Sequence, residues 1–225
     1  MILDPLYLIL TLPALALSLW AQFRVKSTFA KYAKVGVRSG MTGAQAAAAV
    51  CRAAGVTDIT IERHQGFLSD HYDPRAKALR LSPEVHDGKS VSSIAVAAHE
   101  AGHSIQDLEN YGLLNMRSQL VPIVQIGSRF WFLPFLFGIM LSIKGLITIG
   151  IILFSAVVLF QLVTLPVEFD ASRRAKAVLA SSGIVTTQDE AQGVEKVLSA
   201  AAMTYVAALI AAVMQLLYML MRARE

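Results

Sequence analysis

The chain has 225 residues, of which 55% are hydrophobic and 16% charged, with a formal net charge of +4 and a mean hydropathy of +0.55. Soluble domains carry roughly 45–50% apolar and about 25% charged residues, so this composition excludes an ordinary soluble domain. The single cysteine, Cys51, excludes an internal disulfide and a cysteine-built zinc cluster.

The apolar residues are concentrated. Residues 2–23 hold one charge, Asp4, whereas 130–143, 146–165 and 199–221 hold none. A helix crossing a bilayer core needs about 20 apolar residues. Four spans fit, at about 2–23, 121–143, 146–165 and 200–221. Arg129 blurs the edge of the second, and Lys144-Gly145 forms a hairpin before the third. The first span reads as a retained anchor, because basic charge follows the apolar run instead of preceding it.

That basic charge is Arg24, Lys26, Lys31, Lys34 and Arg38, with no acidic residue between them. Next to a membrane span such a cluster is a topology signal and not a nucleic-acid site. It puts the segment after span one in the cytoplasm. Arg173, Arg174 and Lys176 after span three agree, and Arg222 and Arg224 after span four run mildly against it.

The first non-membrane part runs over 24–120. Thr42 and Gln45 have capping-box spacing and open a helix through Ala53 that stops at Gly55. The buried-helix setting makes Cys51 a small apolar residue. Ile59-Thr60-Ile61-Glu62 alternates and is β-branched, so it predicts a strand. Asp73-Pro74-Arg75 predicts a turn, and Ala78-Leu79-Arg80-Leu81 a second short strand. A proline-free, alanine-rich helix follows over 90–110.

That helix carries His99-Glu100-Ala101-Gly102-His103. Histidines four apart share one helical face, so both imidazoles reach one metal ion. Glu100 lies beside that face, placed to take a proton from an attacking water. Small Ala101 and Gly102 let a second backbone come close. The pattern implies a zinc-dependent hydrolase, most often of peptide bonds, with one Zn2+ per chain. Glu100 is then the catalytic residue, and His99 and His103 are metal ligands.

Catalytic zinc usually has three protein ligands. His64, His71 and His86 lie in polar, loop-like settings, and His71 is the best placed of them. Glu168, at the start of a helix expected over about 167–180 and stopped by Ser182-Gly183, is the stronger candidate. By position alone it is equally an acidic residue complementing the helix dipole. Thr187 and Glu190 then form another capping box, opening a helix that leads into span four.

The order of parts resembles the HtpX type of integral-membrane gluzincin protease: H-E-x-G-H, a membrane hairpin, then a helix with E-x-x-A. That resemblance implies a zincin-like domain with Glu168 as third zinc ligand. It also implies an aspartate four residues later, where this chain has Ser172. Asp107 or Asp170 could support the site in its place. The chain is closer still to the YugP-like family of neutral zinc metallopeptidases of bacterial membranes. Four strings carry this: Ser69-Asp70-His71-Tyr72-Asp73-Pro74, Leu79-Arg80-Leu81-Ser82, Ala98-His99-Glu100-Ala101-Gly102-His103-Ser104-Ile105-Gln106, and Pro166-Val167-Glu168-Phe169-Asp170-Ala171-Ser172-Arg173-Arg174-Ala175.

The expected fold is a mainly α integral membrane protein of about four transmembrane helices plus a small α+β zincin-like (gluzincin) catalytic domain. Its parts are transmembrane helix 1 (1–23), a cytoplasmic catalytic part (24–120), a transmembrane hairpin (121–165), the third-ligand helix with a second cytoplasmic helix (166–198), and transmembrane helix 4 with the C-terminus (199–225). The expected function is a membrane-embedded zinc endopeptidase of the bacterial inner membrane, with its active site on the cytoplasmic side. The alternative is a non-enzymatic membrane scaffold with a structural zinc. Expected partners are a polypeptide substrate, the lipid bilayer, and a membrane protein or second copy, with no nucleic acid. His71, Tyr72, Arg80, Gln106, Asp107, Asp170 and Ser172 are candidates for supporting the metal or the substrate, with Tyr205 a further oxyanion donor beside His71 and Tyr72. In gluzincin folds a strand such as 78–81 forms the sheet edge above the zinc, which would place Arg80 in the substrate cleft; an ordinary buried strand is the equal alternative.

Overall fold

The computed structural model describes residues 4–66 and 69–224 and divides into two compact units. The start of the first expected span, at Ile2, lies outside the described residues.

One unit comprises Met1–Gln22, Gly112–Pro166 and Met203–Glu225. Its helical segments belong to α1 (Pro5–Tyr32), α5 (Gly112–Phe130), α6 (Phe132–Met140), α7 (Lys144–Ser181) and α8 (Gln188–Arg222). Four stretches are long and apolar enough to cross a membrane: α1, α5 with α6, α7 and α8. Large apolar side chains such as Ile9, Leu12, Leu15, Phe137 and Ile152 are exposed, as lipid-facing residues would be. The lone charge of the first apolar run is partnered: Asp4 accepts from the Tyr218 hydroxyl at 3.1 Å. The turn before α7 falls at Leu141-Ser142-Ile143, slightly earlier than Lys144-Gly145, with Ser142 at φ +56°.

The other unit comprises Phe23–Tyr111 and Val167–Ala202. At its centre is α4 (Val91–Leu108), whose side chains are largely buried from Val91 to Gln106. Ser90 caps it, accepting from the Ser93 N–H at 3.1 Å. α2 (Gly43–Ala53) packs on α4 and begins with the expected capping box, Thr42 with Gln45. Its alanines make that approach close, and Ala46, Ala47, Val50 and Cys51 are buried.

A three-stranded sheet lies beside α4. β1 (Thr60–Arg63) runs parallel to β3 (Ala78–Leu81), and β2 (His71–Asp73) runs antiparallel to it. The order is β1-β3-β2, so β3 is the central strand. Of the two readings of this strand, sheet edge and ordinary buried strand, the structure has the buried one, and the edge reading is corrected. The strand's burial explains the position: Ala78, Leu79 and Leu81 are inaccessible, and only Arg80 points outward. There Arg80 pairs with Glu62 of β1 at 3.2 Å and with Asp73 of β2 at 2.7 Å. Two further elements were not expected. His71-Tyr72-Asp73 is a strand and not part of a turn, and α3 (Pro83–His86) precedes α4.

α7 also differs from expectation. It continues through Pro166 as one helix, where a new helix was expected to open. Proline costs a helical hydrogen bond, but Val167, Ala171 and Ala175 are fully buried just beyond it, and that packing holds the helix on course. Ser182-Gly183 ends it as expected, with Gly183 at φ +68°. α8 opens with the Thr187/Glu190 box, both reciprocal bonds present at 3.2 and 3.0 Å.

Candidate metal centre

His99 and His103 sit one turn apart on α4, with ring centroids 4.8 Å apart. Gly102, between them in position, allows α7 to pack against this turn. A β-carbon on Gly102 would stand 2.4 Å from the Ala171 carbonyl oxygen. With that close approach, Glu168, one turn before Ser172 on α7, faces both imidazoles. Its carboxylate oxygens lie 3.1 Å from His99 Nε2 and 3.7 Å from His103 Nε2. One ligand atom from each of the three residues falls within 4.8 Å of the others, and they form the metal-ligand group found among the described residues.

The donor set fits zinc. Two imidazoles and a carboxylate are its usual catalytic ligands. Each imidazole presents Nε2 to this point, while its other nitrogen is engaged from behind. His99 Nδ1 lies 3.1 Å from Ser172 Oγ, and His103 Nδ1 lies 3.0 Å from Gln106 Oε1. Metal-bound histidines are almost always held in this way. Glu168 is beyond the apolar run 146–165 and only 2% exposed. Burial opposes its charge, yet hydrogen bonds and positive charge from His103 and His99 win and hold its carboxyl far below the usual carboxylate range. Glu100, beside the histidines on α4, is also buried at 8% exposure.

The other expected residues divide. Ser172, standing where the resemblance implied an aspartate, touches His99 directly. Gln106 touches His103 and also donates to Val167 O at 2.8 Å and Asp170 Oδ2 at 2.9 Å, so Asp170 reaches the site through Gln106. Asp107 does not take the aspartate's place: it accepts from Tyr72 Oη at 2.6 Å and pairs with Lys77. Burial and the Asp107 carboxylate push the Tyr72 phenol well up, so Tyr72 stays a protonated donor. His71 is bound to the Ser69 carbonyl at 2.8 Å and packs edge-on against His64, outside the three-residue group. Arg80 is committed to Glu62 and Asp73. Tyr205 belongs to the other unit.

Arg174 was not anticipated at the site. It pairs with Asp170 and with Glu109 (2.6 Å), and its guanidinium lies 5.8 Å from the centre of the Tyr111 ring. The signal was present, because Asp170 and Arg174 are four apart on one helix.

No solved structure matches the chain. A curated relative from Bacillus subtilis (strain 168), named "Putative membrane protease YugP", is 50% identical over 216 residues, covering 96% of each chain. A family model described as "Putative neutral zinc metallopeptidase" matches residues 7–224. Since that match runs over nearly the whole sequence, the chain belongs to this zinc metallopeptidase family.

Proposed function

We propose that this protein is a membrane-embedded zinc endopeptidase of the bacterial inner membrane, working on polypeptides at the cytoplasmic face. The observation that carries the reading is the convergence of His99, His103 and Glu168, with buried Glu100 on the helix that bears both histidines. The zinc ligands are His99 and His103 through Nε2, and Glu168. When bound, zinc supplies Lewis acidity, acidifying water and polarising a carbonyl.

Glu100 takes the proton of the attacking water. It then delivers that proton to the nitrogen of the scissile bond, so that the amine leaves neutral. Ser172 and Gln106 keep the two imidazoles in orientation. The surrounding α4–α7 packing excludes bulk water from behind the site, since Ala98, Ala101, Val167 and Ala171 are buried.

The peptide's docking edge is β2 and not β3. β2 pairs with β3 on one side, and among the described residues no strand pairs with its other side. An extended peptide can add to such an edge through main-chain hydrogen bonds. β2 also packs against α4, which bears the histidines. We read this unit as zincin-like on that basis.

A purely structural zinc would ordinarily be closed by four protein ligands. Three ligand atoms and an adjacent Glu100 favour catalysis over the scaffold alternative. The cytoplasmic assignment rests on Arg24, Lys26, Lys31, Lys34 and Arg38, together with Arg173, Arg174 and Lys176. Metal analysis of purified His99→Ala, His103→Ala and Glu168→Ala tests the ligand set. Each variant should lose most of its zinc, and full zinc content in Glu168→Ala would remove that residue from the set.

A further inference from the structure

In the unit that carries α4, a cavity of about 430 Å³ opens at the start of that helix. Its furthest lining residue along α4 is Ser93, six residues ahead of His99 and so about 9 Å from it along the helix axis. None of the metal ligands lines it. The other walls are the end of α1 with Gly36 beyond it, and the α3 end of the chain segment that leads into α4.

Three charged side chains face this space: the ammoniums of Lys34 and Lys89 and the carboxylate of Glu84. Opposite charges lining one cavity would close on each other if they could. Among the described residues, no ion pair or side-chain hydrogen bond engages any of the three. Elsewhere in the unit such charges do find partners, Arg63 with Asp87, Lys77 with Asp107 and Lys176 with Glu195. The cavity's hydroxyls are already engaged. Ser93 Oγ donates to the Glu84 carbonyl at 2.9 Å, and Ser90 Oγ accepts from the Ser93 N–H at 3.1 Å. The cavity therefore holds two positive charges and one negative charge apart across open space, beside the apolar wall of Phe29, which is 6% exposed.

A group that answers all three charges must be anionic at one end and cationic at the other. Lysine ammoniums are compact point charges, which suit a phosphate; the planar, two-pronged fit to a carboxylate belongs to arginine. Glu84 only accepts, so its counterpart is a positively charged donor, as a primary ammonium is. Phosphate without that amine would meet the repulsion of Glu84 uncompensated. We propose that this cavity binds a phosphate ester carrying a primary amine, the phosphoethanolamine chemistry, with Lys34 and Lys89 on the phosphate and Glu84 on the ammonium. That chemistry exists both free in solution and as a lipid headgroup, and a membrane-bound chain meets either. The site is independent of the zinc reading.

The test uses the full chain, purified in detergent and freed of bound lipid. By calorimetry, O-phosphorylethanolamine should bind the wild type roughly five-fold or more tighter than glycerol phosphate, which lacks the amine, and than ethanolamine, which lacks the phosphate. Lys34→Ala and Lys89→Ala should each weaken it roughly five-fold, the effect of one partly screened charge. Glu84→Gln should erase the preference over glycerol phosphate. Gly36→Val should abolish binding by filling the space: a β-carbon at Gly36 has the Lys89 carbonyl oxygen as its nearest neighbour, 3.9 Å away, so the backbone has room for it. Nanodiscs separate the two sources. Binding of the soluble probe should persist in discs of phosphatidylglycerol. Its loss when phosphatidylethanolamine is added assigns the site to a lipid headgroup, and its persistence there assigns it to a soluble ligand. A wild type that binds no O-phosphorylethanolamine, in detergent or in phosphatidylglycerol discs, overturns the proposal. So does binding that survives the Lys34→Ala/Lys89→Ala double change, or equal affinity of the wild type for glycerol phosphate. Should Gly36→Val fail to fold, the lysine and Glu84 variants, all at exposed positions, decide.

Discussion

Gly102 of α4 rests on the backbone of Ala171 of α7 so closely that a β-carbon at 102 would stand 2.4 Å from the Ala171 carbonyl oxygen. Neither helix backbone can yield there as a flexible side chain could. This contact sets how near Glu168 comes to His99 and His103. Gly102→Ala should therefore push the two helices apart, at a cost of about 1–3 kcal/mol from overpacking. Its zinc content should fall more than its helicity. Metal analysis beside a thermal melt checks this, and a variant with wild-type zinc and stability would show that the approach is not needed.

A second expectation concerns β3. Because it is paired on both sides, Arg80→Pro should break the sheet and not merely blunt substrate binding. Arg80→Ala should be far milder. It removes only two partly exposed ion pairs, which solvent screens. Circular dichroism and melting temperature separate the two variants. A well-folded Arg80→Pro would contradict the central placement of the strand.

The pH dependence of stability should reveal Asp70. Burial pushes its carboxyl up, and the N–H and hydroxyl of Ser82, which it accepts at 2.7 and 3.2 Å, only partly offset this. A folded pKa above the unfolded value gives stability that is complete below the unfolded value, about 3.9, and is lost as pH rises through the folded one. Asp70→Asn keeps an acceptor for Ser82 and removes the charge. Near neutral pH it should melt at or above the wild type, and that advantage should vanish on acidification. An advantage that grows on acidification would contradict the burial argument.

Much of this was legible beforehand, for identifiable reasons. The α4 motif, the Thr42 and Thr187 boxes and the four apolar stretches are local signals, each written in adjacent residues. Gly102 pointed to a close helix approach because small size has few other uses beside a metal motif. Sheet order was not legible. β1 and β3 are parallel with β2 antiparallel on the far side of β3, and nothing local in Ala78-Leu79-Arg80-Leu81 tells a central strand from an edge. Continuity of α7 through Pro166 was hidden for a similar reason, since proline signals a break unless tertiary packing overrides it. Ser172 could be aligned to an absent aspartate but not given its partner, because a hydroxyl's partner is set by the neighbouring helix.

The topology can be read with a single reporter thiol. Lys89→Cys in a Cys51→Ser background places it on an exposed position shortly before α4. In intact cells it should resist a membrane-impermeant thiol reagent and react after lysis. Labelling before lysis would put the metal helix on the other side of the membrane.

The most direct measurement pairs zinc content with peptide cleavage for purified wild type and Glu100→Gln. Glu100 lies beside the ligands without belonging to the three-residue group. Glu100→Gln should keep about one zinc per chain and lose cleavage, because an amide cannot take up the water's proton. Loss of two to four orders of magnitude, roughly 10²–10⁴-fold, is the scale expected for a general base. Undiminished cleavage by Glu100→Gln, or a zinc-loaded wild type that cleaves no polypeptide offered to it, would contradict the assignment of this protein as a zinc endopeptidase.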